Sequence, residues 1–237
     1  LSAHKRPGTR ATFSSNEAAR VIRLLLMPES SSTTWTQRKI QQECRPGVSL
    51  GLVNKVVRRL IDDSYVRTGP PGGLRLHEPE KLLFAWQEEY RFERHERRGY
   101  FTLLTGKAFY AALAKLNRAA AGKTALASFS AADFQAPHVR QAKTWLFLDA
   151  SMEETFRMCL EAKPVESGEN LVVLFPADDG VFFRCDEASV KPVGLPCTNL
   201  VQTYVDLASG GGRGSEAAKA LLDQRLKPIW SKREPAP

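Results

Sequence analysis

The stretch SLGLVNKVVRRL, Ser49 to Leu60, decides how the first third of the chain is read. On a helical wheel turning about 100° per residue, Val53, Val56, Val57 and Leu60 fall on one side. Gly51, Lys55 and Arg58 lie nearly opposite, with Asn54 and Arg59 flanking them. The spacing predicts a helix capped by Ser49 and running to about Asp63, apolar inward and polar outward. Its outward stripe carries three cations and no carboxylate. A solvated helix face ordinarily mixes signs, as EEYRFERHERR (Glu88 to Arg98) does, so the stripe points to an acidic partner rather than to water alone.

Working outward, the neighbours of this helix give it a context. Ser14 and Glu17 have capping-box spacing, and Ala18, Val21, Ile22, Leu25 and Leu26 form an apolar helical face that Pro28 closes. Thr36 caps a short helix, TQRKIQQEC, which Arg45-Pro46-Gly47 breaks. After the third helix, Tyr65-Val66-Arg67, a Gly/Pro turn and Leu74-Arg75-Leu76 read as a hairpin. Helix, short helix, break, longer helix, basic hairpin is the order of a winged helix-turn-helix. The expected fold is α+β: that N-terminal module over residues 1–78, with a basic lead-in at residues 1–13, then a mixed α+β domain over 79–237, the boundary falling near Pro79.

Charge follows the same division. Residues 1–76 hold 13 Lys/Arg against 5 Asp/Glu, whereas residues 77–237 hold 21 of each, so the whole net charge of +8 sits in the first third. A basic module joined to a neutral one fits nucleic-acid binding by the former. The major groove of B-DNA admits one α-helix, and Lys and Arg beside phosphates gain by releasing counterions. Asn54 offers the donor–acceptor edge that matches adenine, Arg58 the fork that matches guanine, and Leu50 or Leu52, whichever is exposed, an apolar contact for a thymine methyl. Gly51, lacking a side chain, lets the helix start come close to the bases. Ser49, Gln37 and Arg38 are candidates for the phosphate backbone. Arg67 and Arg75 sit on the two wing strands, and because only one face of a hairpin can meet DNA, one of the two is expected to be idle.

Other chemistries find less support. Cys44, Cys159, Cys185 and Cys197 are far apart, as are the four histidines, which fits neither a zinc site nor a disulfide framework. No cofactor and no metal is expected. No apolar run approaches the roughly 18 residues of a membrane span, nor does the start resemble a signal peptide, so the reading expects a cytoplasmic protein. In the second part, Thr105–Ala121 reads as a helix, TALAS and KTWLFLD as strands, and Ser151–Ala162 as a helix capped by Ser151. NLVVLFP and VFFRCD read as strands flanking the turn Ala177-Asp178-Asp179-Gly180. SGGGRGS before a helix has the look of a phosphate loop but lacks the Lys-Ser/Thr ending of a P-loop. Asp149 ends a strand without an evident catalytic partner.

A family resemblance rests on Leu82-Leu83 with Ala85-Trp86, on Phe129-Ser130-Ala131-Ala132 with Ala136-Pro137, and on LVQTYVDLASGGGRGSEAAKALL, Leu200 to Leu222. In the last, Gln202, Tyr204, Asp206, Leu207, Gly212-Arg213-Gly214, Glu216 and Ala217-Ala218 fit the pattern. From Trp35 onward the chain resembles the AbiEi family, the antitoxins of type IV toxin–antitoxin systems. The resemblance implies a DNA-binding antitoxin that represses its own operon, reads an operator as a homodimer and counters a nucleotidyltransferase-like toxin. Gln202, Asp206 and Arg213 are expected to be buried partners ordering a helix–loop–helix. Two competitors stand beside this reading. One is a nucleotidyl- or phosphoryl-transfer enzyme, which would need a carboxylate cluster near Gly210–Gly214. The other is a winged helix that binds protein instead of DNA.

Overall fold

The computed structural model describes residues 13–30, 33–69, 72–138 and 141–232; the basic lead-in lies outside them except for its last residue, Phe13. The chain is mixed α+β and divides into two compact units, one ending at Tyr90 and one beginning at Arg91.

The first unit starts with helix α1 (Asn16–Leu26). Its cap is Ser15, whose hydroxyl accepts from the Ala18 amide at 3.2 Å, and not Ser14 as expected. Starting one residue later puts Glu17 at the second helical position, too early to close a capping box. Helix α2 (Gln37–Glu43) is capped by Thr36, and α3 (Leu50–Asp62) by Ser49. Val53, Val56, Val57 and Leu60 of α3 are buried, each stabilising by about 1.5–3 kcal/mol, and α3 packs on α1 and α2.

Strands β1 (Val66–Gly69) and β2 (Gly73–Leu76) follow as an antiparallel hairpin. Gly72, at φ 89°, donates its amide to the Gly69 carbonyl, a backbone conformation that an L side chain resists. Trp35, just ahead of α2, exchanges both backbone hydrogen bonds with Leu74 at 2.7 and 2.8 Å and so adds a bridge along the edge of β2. Helix α4 (Pro79–Glu89) buries Leu82, Leu83 and Trp86 and packs on α1. It belongs to this unit, so the division falls after Tyr90 and not near Pro79.

The second unit is built on a five-stranded sheet in the order β4-β5-β7-β3-β6, formed by β3 (Glu96–Phe101), β4 (Thr124–Leu126), β5 (Thr144–Leu148), β6 (Lys163–Pro164) and β7 (Leu171–Phe175). Only β5 and β7 run parallel, with α7 (Glu153–Leu160) between them in sequence. Helices α5 (Gly106–Ala119) and α7 share one apolar cluster with Tyr100, Leu146, Leu148, Leu171 and Val173. Phe147, Val172 and Leu174, pointing the other way along the same strands, cluster with Val181.

Two expectations fail here. VFFRCD is no strand: Asp178 accepts from the Gly180 amide and opens a 3-10 turn, Asp179–Phe182. β7 already pairs with β5 on one edge and β3 on the other, so no edge remains for a hairpin partner. Nor does Ser151 cap a helix. Asp149 accepts from the Ser151 amide at 2.9 Å and starts a 3-10 turn that leads into α7.

The chain closes with helices. After α6 (Ser128–Gln135) and the single turn α8 (Val190–Val193) come α9 (Leu200–Ala208) and α10 (Gly212–Leu221). A π turn then continues into α11 (Lys227–Ser231). Helices α6, α9 and α10 pack on one another.

Candidate nucleic-acid interface

The polar side of α3 is where the sequence placed it, with one exception. Lys55 and Arg58 are exposed, Leu50 is 39% exposed, and the space in front of Gly51 is open, with no atom within 4 Å of where a Cβ would stand. Neither Lys55 nor Arg58 makes an ion pair among the described residues. Arg38 on α2 and Arg67 on β1 are likewise exposed and without a carboxylate partner among them. Ser49 Oγ accepts from the Leu52 amide at 3.2 Å, and the residue is exposed.

Arg59 is the exception. Its guanidinium lies 3.5 Å from the centre of the Phe13 ring, bonds Glu89 at 2.6 Å and reaches Asp63 at 3.4 Å, and the side chain is only 13% exposed. The same Glu89 carboxylate accepts from the Phe13 amide at 2.6 Å. Arg59 therefore ties α3 to α4 and does not belong to the outward stripe, which keeps two cations instead of three. Glu89 is 30 residues away in sequence, and no local pattern announces it.

Asn54 and Gln37 meet. Asn54 Nδ2 donates to Gln37 Oε1 at 3.1 Å across the α2–α3 junction, and both side chains are half-buried. The sequence nominated each of them separately, with no hint of the pairing. On the hairpin, Arg67 and Arg75 are direct cross-strand partners. They therefore share one face, so the hairpin geometry gives no reason for one of them to point away from a surface that the other meets. The opposite face carries Val66 and Leu74, both buried. Arg75 Nε donates to Thr34 Oγ1 at 3.2 Å, so Thr34, which the sequence did not single out, orients a wing cation.

Asp149 is a turn cap, its carboxyl held below the usual range first by the Ser151 hydroxyl. Burial pushes the Cys44 thiol, in the first unit, up to about 11, so it is not a nucleophile near neutrality. Among the described residues no group of three or more His, Cys, Asp or Glu is arranged to hold a metal ion, and no helix is long and apolar enough to cross a membrane.

The SGGGRG segment is a short turn, Ser209 to Gly211, that runs into the first residues of α10. Gly214 is buried against the C-terminal turn of α9, where an added Cβ would stand 2.4 Å from the Leu207 carbonyl oxygen. Gln202 and Asp206 are buried and bonded to each other at 2.7 Å. Arg213 is exposed and takes no part in that burial. Phe129 of α6 lies 3.7 Å from the same Cβ position on Gly214. Phe129-Ser130-Ala131-Ala132 and the Leu200–Leu222 motif thus pack together as one three-helix cluster.

A family profile described as "Transcriptional regulator, AbiEi antitoxin, Type IV TA system" matches residues 75–227, well over half of the chain. The chain belongs to the AbiEi antitoxin family. The match begins at Arg75, so α1–α3 lie outside it. The match takes in α4 and most of the second unit, including the whole three-helix cluster. No curated protein and no solved structure matches the chain.

Proposed function

We propose that this AbiEi-family protein is a transcriptional repressor whose first unit is a winged helix-turn-helix and whose second unit engages a toxin. α3 enters the major groove of its operator, and the β1–β2 wing lies along the backbone. One observation carries the reading. Lys55, Arg58, Arg38 and Arg67 are exposed on α2, α3 and β1 with no carboxylate to neutralise them among the described residues. Phosphates are the partner that such cations lack, and binding them would release counterions. The Trp35–Leu74 bridge supports the winged arrangement, since it supplies the extra edge between the first two helices that steadies a wing. Two copies reading paired half-sites would complete the repressor. The second unit is proposed to contact a cognate nucleotidyltransferase-like toxin, in keeping with its family.

The test is the double variant Lys55→Glu with Arg58→Glu, titrated by fluorescence anisotropy against the duplex upstream of its own gene. Both side chains point away from the core, so the melting temperature should hold while affinity falls by two orders of magnitude or more. Wild-type affinity in the double variant would remove α3 as the reading helix.

A further inference from the structure

Resting on that DNA-binding reading, we propose that Gln37 and Asn54 act as one unit: Gln37 is a positioning residue that orients the Asn54 carboxamide towards an adenine in the major groove. Asn recognises adenine with two atoms on one edge, the carbonyl oxygen accepting from N6 and an amide hydrogen donating to N7. The torsion that turns a carboxamide is broad and roughly two-fold. Left to itself, the group exchanges oxygen and nitrogen, and the edge is right only part of the time.

The bond from Asn54 Nδ2 to Gln37 Oε1 at 3.1 Å makes that exchange a joint one, because Asn54 can turn over only if Gln37 turns with it. Turned over alone, Asn54 would set its oxygen against the Gln37 oxygen, two acceptors with no proton between them. One amide hydrogen and the Oδ1 of Asn54 stay available to a base. Gln37 keeps both of its Nε2 hydrogens for a neighbouring acceptor. Two further observations favour the arrangement. Gln37 is the first residue of α2, held by the Thr36 cap, whose Oγ1 accepts from the Lys39 amide at 3.1 Å. Both amides are half-buried, so water competes less for the bond between them. Next to the pair, Gly51 leaves the start of α3 without side-chain bulk, and a base edge can come close.

The experiment uses the full chain and a duplex library with a randomised central segment, selected in parallel for wild type, Asn54→Ala, Gln37→Met, Gln37→Glu and the double variant Gln37→Met with Asn54→Ala. A fixed duplex of unrelated sequence is titrated at several salt concentrations alongside. Wild type should enrich adenine at one position of each half-site. Asn54→Ala and Gln37→Met should each lose that preference by about tenfold, within the range of a bidentate base contact, and the double variant should lose no more than either. Gln37→Glu keeps the acceptor and should keep the adenine preference, although its charge lowers affinity for every duplex. Binding of Gln37→Met to the unrelated duplex should keep the wild-type salt slope, because a neutral carboxamide releases no counterion.

Undiminished adenine preference in Gln37→Met overturns the positioning role, and the same result in Asn54→Ala overturns the reader. Wild type that binds duplex steeply with salt but enriches no adenine removes the pair and leaves the DNA-binding reading standing. Wild type with no salt-dependent duplex binding removes both.

Discussion

Arg67 and Arg75 stand directly opposite one another across the β1–β2 hairpin, Cα against Cα. Like charges at a cross-strand pair destabilise a hairpin by a few tenths of a kcal/mol to about 1 kcal/mol. Their sharing of one exposed face makes sense if an anion lies over both. Arg67→Glu should therefore act in opposite directions on fold and function. It converts a repulsive pair into an attractive one, so the melting temperature should stay level or rise slightly. DNA affinity should fall, with the log–log salt slope shrinking by about 0.9 for each phosphate that is no longer neutralised. An unchanged slope would mean that the wing does not touch the backbone.

Gly51 gives a second opposed pair of effects. Glycine in a helix costs up to about 1 kcal/mol relative to alanine, and nothing within 4 Å requires the missing Cβ here. Gly51→Ala should raise stability in urea unfolding by several tenths of a kcal/mol. If the start of α3 approaches the bases closely, the same variant should weaken operator binding several-fold. A stabilised protein with undiminished affinity would show that no ligand atom comes near this position.

How much of this is legible in the sequence depends on how local each cause is. Ser49 and Thr36 are readable as caps because a cap bonds an amide three residues on. The buried face of α3 is readable from its period. Arg59 is not, because Glu89 and Phe13 come from distant segments. β3 starts within EEYRFERHERR, which looks like a solvated helix or connector. Its Arg97 and Arg98 spread their guanidinium groups over the rings of Trp145 and Phe175 at 5.0 and 4.7 Å, so charged residues cover aromatic surface and the strand shows no alternation. VFFRCD misleads for the opposite reason: β propensity is present, but both edges of β7 are taken. Gly214 is visible as part of a motif, and only the packing says why it is glycine.

That reason can be tested. A Cβ on Gly214 would stand 2.4 Å from the Leu207 carbonyl oxygen, a backbone atom that cannot swing aside. Gly214→Ala must push α10 away from α9 and loosen the cluster that holds Phe129. Overpacking of this kind costs about 1–3 kcal/mol, against a gain of less than about 1 kcal/mol from helix propensity. Urea denaturation should show a lower midpoint. A midpoint at or above wild type would mean that α9 and α10 do not approach as closely as this geometry requires.

Acid probes a different part of the second unit. Tyr100 Oη donates to Glu153 Oε1 at 2.5 Å, and Arg98 bonds the other carboxylate oxygen at 2.7 Å. The tyrosine bond first, and then Arg98, hold the Glu153 carboxyl below its usual range. A carboxylate with a depressed folded value binds a proton less readily in the native state than in the unfolded chain. Its contribution is then complete above the ordinary glutamate value of about 4.3 and fades as pH falls through the lower folded one. Tyr100→Phe removes the larger cause. Its cost should be about 1 kcal/mol at pH 7, modest because Glu153 stays partly wet, and should shrink towards zero in strong acid. The tyrosine carries its own signature: burial, then the Glu153 bond, pushes its hydroxyl up to about 12. The stability linked to that proton is present up to the ordinary tyrosine value near 10 and is lost as pH climbs beyond it. Urea unfolding of both proteins across acid pH checks the first half, and ultraviolet titration of the phenol checks the second. A cost that stays constant down to the lowest pH would mean that the hydroxyl only fills space and does not hold the Glu153 charge.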